Sequence, residues 1–143
     1  MKAIGYFTLL FLTMSLMSCS SGTSVVSNDG VAAVSAPGTL AGKTYRVTVE
    51  SGSGVFASTG TFTVGFLSDQ PIYTTQGDGV NAGDSFGFYI YSSSGDSGTV
   101  EVEDSRVQNA IYSVTFNTAT SGTYVVTATA DVNSRQSGTF TEQ

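Results

Sequence analysis

The chain contains no histidine and no tryptophan, and it has one cysteine and two prolines. Without histidine it lacks the side chain that titrates nearest neutral pH and the commonest metal ligand. Ser-His-Asp and Cys-His catalysis, and zinc sites of the usual ligand sets, are therefore excluded by inventory. A single thiol, Cys19, permits no disulfide within the chain and no thiolate cluster. Basic residues are scarce as well: five Lys and Arg face eleven Asp and Glu, a net charge of −6. Nucleic-acid backbones are bound by clustered Lys and Arg; none cluster here, so nucleic acid is excluded as a natural partner. No apolar run reaches the roughly 20 residues that span a bilayer. The longest, Ala3 to Leu12, gives way to Thr13, Ser15 and Ser18. With no cross-link, stability must come from an apolar core, and a chain of this size can bury about two thirds of its surface.

What is present begins at the N-terminus. Met1-Lys2 leads into Ala3-Ile4-Gly5-Tyr6-Phe7-Thr8-Leu9-Leu10-Phe11-Leu12, then small residues before Cys19. A positive start, an apolar stretch of ~7–15 residues and a small-residue boundary make a secretory signal. The four residues Leu16-Met17-Ser18-Cys19 resemble the lipobox of bacterial lipoproteins. That resemblance implies cleavage before Cys19, a diacylglycerol thioether on its sulfur and usually an acyl group on the new N-terminus. The competing reading is an ordinary secretory signal with a chance cysteine, or an uncleaved anchor. Two or three acyl chains contribute on the order of 0.8 kcal/mol per buried methylene, which makes attachment effectively permanent. Ser20 stands where an aspartate would resemble an inner-membrane retention signal, so in a cell with two membranes the outer one is favoured. The expected location is extracytoplasmic, with the lipid as the membrane contact. Loss of Lys2 with the signal leaves four basic against eleven acidic residues, a net charge of −7.

The expected organisation is a signal peptide over 1–18, an acylated cysteine with a flexible tether over 19–37, and one domain over 38–143. Ser20 to Ala36 is rich in the small polar residues of flexible linkers, with a short strand expected around Val31–Val34. Pro37-Gly38 marks a turn before the domain. From Leu40 onward the ordered segments alternate with period two, the signature of half-buried strands. The runs are Tyr45–Glu50, Thr61–Leu67, Pro71–Thr75, Phe86–Tyr91, Thr99–Glu103, Ala110–Phe116, Thr123–Ala130 and Thr139–Thr141. Short strands separated by Gly, Ser, Asp and Asn predict an all-β fold, an antiparallel meander of about eight strands. A small repeat, Thr59-Gly60-Thr61-Phe62, Ser97-Gly98-Thr99-Val100, Ser121-Gly122-Thr123-Tyr124 and Ser137-Gly138-Thr139-Phe140, places a glycine before each strand, where turn chemistry is expected.

Two resemblances bear on architecture. Tyr89-Ile90-Tyr91, Gly95, Thr99 to Val102, Tyr112-Ser113-Val114-Thr115-Phe116 and Gly122-Thr123-Tyr124 resemble β-rich modules of secreted and lipid-anchored bacterial proteins. That likeness brings no defined activity. Leu40-Ala41-Gly42-Lys43-Thr44-Tyr45 is similar to the Gly-x-Trp entry strand of lipocalins, with Thr44 where tryptophan would close the barrel bottom. It implies a calycin-like eight-stranded barrel; a two-sheet sandwich is the alternative. The barrel alone implies an internal cavity for one small ligand.

Three groups could carry chemistry. Glu101 and Glu103 share a strand face about 6.6 Å apart, with Asp104 adjacent. Such spacing falls in the range of glycosidase carboxylate pairs, yet Val100 and Val102 claim the inner face, so a solvated strand face is expected. Asp78, Asn81 and Asp84 carry oxygens in a glycine-rich loop, a weak calcium candidate, since the spacing matches no EF-hand. Tyr89 and Tyr91 share one face of a strand whose other face holds Phe86, Phe88 and Ile90. If the phenylalanines pack inward, the tyrosines form an exposed sugar or peptide contact; the alternative is that both faces are covered, as in a sandwich centre or under a loop. The protein is expected to be non-catalytic and without a cofactor. It is expected to bind a small apolar or carbohydrate ligand or a surface partner, or to serve as a structural or adhesive envelope component. Growth of the host with labelled palmitate is expected to label the protein, and Cys19→Ser is expected to abolish the label. An unlabelled mature protein refutes the lipobox reading.

Overall fold

The computed structural model describes residues 33–78, 84–104 and 109–143. Cys19, the signal segment and most of the spacer lie outside the described residues. The domain is all-β, with strands β1 (Thr44–Gly52), β2 (Gly60–Phe66), β3 (Ile72–Gly77), β4 (Ser85–Ser94), β5 (Ser97–Asp104), β6 (Ala110–Phe116), β7 (Ser121–Ala128) and β8 (Arg135–Glu142). Each pairs antiparallel with the next, and β8 returns to pair with β1. The result is a closed meander barrel of calycin-like form, and the sandwich alternative falls away. All eight runs expected from alternation are strands. The short strand expected around Val31–Val34 is not seen at Ala33 and Val34, and Val31 lies outside the described residues.

Closure follows from register. Tyr45 stands between Val64 of β2 and Glu142 of β8, and Val47 between Phe62 and Phe140. Along β1, Tyr45, Val47 and Val49 are buried inside, while Arg46, Thr48 and Glu50 face water. A bulge between Val49 and Ser51 adjusts the β1–β8 ladder, and such bulges raise local twist. The Lys43 Nζ donates to both carboxylate oxygens of Glu142, at 2.7 and 2.9 Å, across the same seam. At a partly exposed site this pair contributes up to about 1 kcal/mol.

One end of the barrel is sealed by the chain that enters it. The Ala36 N–H donates to Gly95 O at 2.8 Å, in the β4–β5 turn, and the Tyr91 hydroxyl donates to Pro37 O at 2.9 Å. Ala36 and Leu40 are buried, and Val34 packs against the core. Residues 34–37, expected to end a flexible tether, are therefore part of the domain, which begins earlier than residue 38. Beneath them five rings make edge-to-face contacts in the order Tyr89, Phe66, Tyr45, Phe140, Phe116, with centroids 4.8 to 6.2 Å apart. Such pairs are worth roughly 0.5–1.5 kcal/mol each beyond area burial.

The repeated glycines do a different job from the expected one. Gly60 has positive φ, but Gly98, Gly122 and Gly138 lie within strands and face inward. Gly122 sits directly opposite Phe140, and Gly138 opposite Tyr124. A Cβ on Gly122 would lie 1.9 Å from Thr115 O and 2.7 Å from the Phe140 ring. On Gly138 it would lie 2.0 Å from Thr48 O. These glycines let the wall bend and leave room for the ring across the strand pair. Gly122→Ala and Gly138→Ala are each expected to cost about 1–3 kcal/mol in denaturant unfolding, the range for overpacking. Gly38→Ala, whose Cβ meets nothing within 4 Å, is expected to be neutral. Equal midpoints for all three variants would refute the steric assignment.

Candidate functional site

The middle of the barrel is not filled. Val64 of β2 and Val114 of β6 point inward yet are only half-buried, as is Tyr112. In a ring of eight strands β2 and β6 stand opposite each other. Val64, Val114 and Tyr112 help to line a partly open pocket of about 80 Å³ inside the barrel. Apart from Thr75, every side chain that lines it is aliphatic or aromatic. A space of this size and lining suits a small or slender apolar group.

The two ends of the barrel differ in chemistry. Toward the sealed end the lining is Leu40, Tyr45 and the phenylalanines 66, 116 and 140. Toward the other end polar groups enter. Asp104 continues the inward phase of Gly98, Val100 and Val102. Its carboxylate accepts hydrogen bonds from the Tyr73 hydroxyl and from Ser85 Oγ, the latter at 2.8 Å. Thr75 Oγ1 and Ser85 Oγ share a hydrogen bond of 2.8 Å. Across the barrel the Tyr124 hydroxyl donates to Gln136 Oε1 at 3.0 Å, and Gln136 Nε2 donates to Ala57 O at 2.9 Å. This last bond ties the β1–β2 loop over the wall.

One interior hydroxyl has no such arrangement. Tyr45 is 4% exposed, lines the cavity, and its hydroxyl is buried without a hydrogen-bond partner. Leaving a buried hydroxyl unpaired costs about 1–3 kcal/mol. Among the described residues it is the one buried side-chain polar atom in this position.

The candidates from sequence fall out as follows. Tyr89 and Tyr91 face inward: Tyr89 packs on Phe66, Tyr91 holds Pro37, and neither lines the cavity. An exposed tyrosine contact is therefore corrected. The opposite face is the exposed one, with Phe86 and Phe88 each 59% and Ile90 70% exposed on the outer wall of β4. Glu103 and Glu101 stand beside Phe88 and Ile90 on β5. Both glutamates face water, as expected from Val100 and Val102. Asp104, adjacent to that pair in the sequence, has the alternation phase that puts it inside. Of the calcium candidate, Asp78 and Asp84 are exposed and Asn81 lies outside the described residues. Among the described residues no three acidic groups gather in a way that could hold a metal ion. No helix among them is long and apolar enough to cross a membrane.

No family model, curated protein or solved structure matches the chain. The barrel's own geometry is thus the ground for a functional reading.

The interior tyrosines make a pH prediction. Burial raises the hydroxyl pKa of Tyr45, Tyr112 and Tyr124 well above the ordinary 10.0. Tyr73 is raised further, first by burial and then by its hydrogen bond to Asp104. Above pH 10 the unfolded chain loses phenolic protons that the folded chain keeps, so stability is full below pH 10 and falls as pH rises. Phenolate absorbance from these four is expected to appear together with loss of the barrel's circular dichroism. Phenolate formation in a still-folded domain, from all the tyrosines at about pH 10, would contradict the burial assigned here.

Proposed function

We propose that this chain is a lipid-anchored, extracytoplasmic binding module, non-catalytic, that holds a small apolar ligand inside its barrel. The observation that supports the reading is the almost wholly apolar pocket inside the barrel, lined among others by Val64, Phe66 and Val114. An apolar occupant there would leave water for an almost wholly apolar lining, which favours its binding. Attachment through Cys19 rests on the resemblance to the lipobox. The outer membrane is the favoured site where there are two membranes, given Ser20. The absence of histidine and the apolar lining both support binding over chemistry. A carbohydrate inside the barrel fits poorly, since its hydroxyls would find Thr75 and few other partners.

A second reading is favoured by the outer stripe of Phe86, Phe88 and Ile90. Exposed apolar patches of this kind mark contact surfaces, and a structural or adhesive envelope component would use one. Native mass spectrometry of the protein purified from its own host separates the two. A bound small-molecule mass in the wild type, lost in the double variant Val64→Phe with Val114→Phe while the fold and melting temperature are kept, supports the carrier. No bound mass, and no chemical-shift change on titration with short alkanes, leaves the structural reading.

A further inference from the structure

Resting on the reading of Cys19 as a lipid anchor, we infer that the outer wall of β3 and β4 is a bilayer-contacting surface. The anchored domain lies with Phe86, Phe88 and Ile90 in the headgroup layer of a zwitterionic membrane. These three exposed side chains alternate with inward residues along β4, which spaces them about 7 Å apart in one row. Ile72, directly opposite Phe88, faces the same side. Leu67, whose N–H donates to Ile72 O at 2.9 Å, is exposed and continues the apolar area past β2. Contiguous exposed apolar surface marks a contact site. Because the barrel is closed, this wall offers no free backbone edge to a peptide strand. Whatever covers it must meet the side chains face on.

The route of the chain names the bilayer as that cover. With Ala36 on Gly95 O and Pro37 O under the Tyr91 hydroxyl, the segment running back to Cys19 leaves the barrel at the β4–β5 turn, at one end of the row. Even fully extended, the stretch from Cys19 to Ala36 covers at most about 60 Å. That is about twice the length of the ten-residue β4, roughly 33 Å. A connection this short holds the wall at high effective concentration beside the bilayer, so a patch too small to bind membrane unaided is sufficient. Charge selects the lipid. Glu103 and Glu101 pair with Phe88 and Ile90 across the β4–β5 ladder and face water. The described cations lie elsewhere: Arg46 and Arg135 project from β1 and β8 on the far side of the ring, and Lys43 is held by Glu142. An anionic headgroup would meet carboxylates at this wall, whereas the ammonium of a zwitterionic headgroup complements them.

The test uses the acylated protein, its lipid confirmed by intact mass, in vesicles of phosphatidylcholine and phosphatidylethanolamine. With the Cys19 sulfur acylated, a cysteine introduced by Thr74→Cys on β3, or by Thr123→Cys on β7 across the ring, is the sole thiol for an environment-sensitive fluorophore. Thr74 stands opposite Phe86, at the end of the row far from where the chain leaves the barrel. Nitroxides carried on the lipid chains are expected to quench the Thr74 label severalfold more than the Thr123 label. The triple variant Phe86→Thr, Phe88→Thr, Ile90→Thr, with its circular dichroism unchanged, is expected to erase that difference while the protein stays on the vesicles. Equal quenching of the two labels with the row intact overturns the inference and leaves the anchor standing. Quenching at Thr74 that grows with protein density and ignores the nitroxide assigns the wall to a second copy, and overturns the inference too. A mature chain without acyl mass overturns the anchor reading and this inference with it.

Discussion

The whole molecule depends on β8 hydrogen-bonding back to β1. Once that ladder closes, all eight strands share one circumference, and every inward side chain must fit the same cross-section. Strands that could splay apart in an open sheet are held at fixed spacing. Bulk on one strand must then be met by its absence on the neighbour. Gly122 facing Phe140 and Gly138 facing Tyr124 are the direct outcome: in each pair one residue supplies the ring and the other supplies the space. Closure also satisfies the backbone groups that an edge strand would leave open.

The same fixed cross-section explains why the centre stays empty. At the sealed end five rings reach inward from strands spread around the circle and touch one another. At the other end polar side chains pair across the strands, through Asp104 on one side and Gln136 on the other. Between these layers Val64 and Val114 are only half-buried and line the pocket. A closed sheet cannot shrink to fit them, so the volume remains.

Much of this was legible in the sequence, and the illegible part has identifiable causes. Period-two alternation located all eight strands, because each has an apolar inner face and a polar outer one. It failed on β4, where both faces are apolar and periodicity cannot choose between the tyrosine and phenylalanine sets. Gly87 held a clue: it shares the tyrosine phase, and a Cβ there would lie 2.1 Å from Glu103 O, so that face had to point into the crowded interior. Asp104 was readable from the phase of Val100 and Val102, but its charge and its place next to two exposed glutamates suggested water. Barrel and sandwich differ only in whether β1 meets β8, a contact between strands some ninety residues apart that no local pattern encodes. The cavity was implied by fold analogy alone, since volume depends on side chains from opposite walls.

The route of the chain into β1 also has a mechanical meaning. Residues 34–40 cross the sealed end before the first strand begins, held by Ala36 on Gly95 and by Tyr91 on Pro37. A pull on the chain from the N-terminal side is borne first by those two hydrogen bonds and by the buried Leu40. Only after they yield does load reach the long β1–β8 and β1–β2 ladders, which resist it in shear. The crossing segment therefore behaves as a fuse in series with the barrel. Tension uncovers the aromatic end of the interior before it disturbs a single strand.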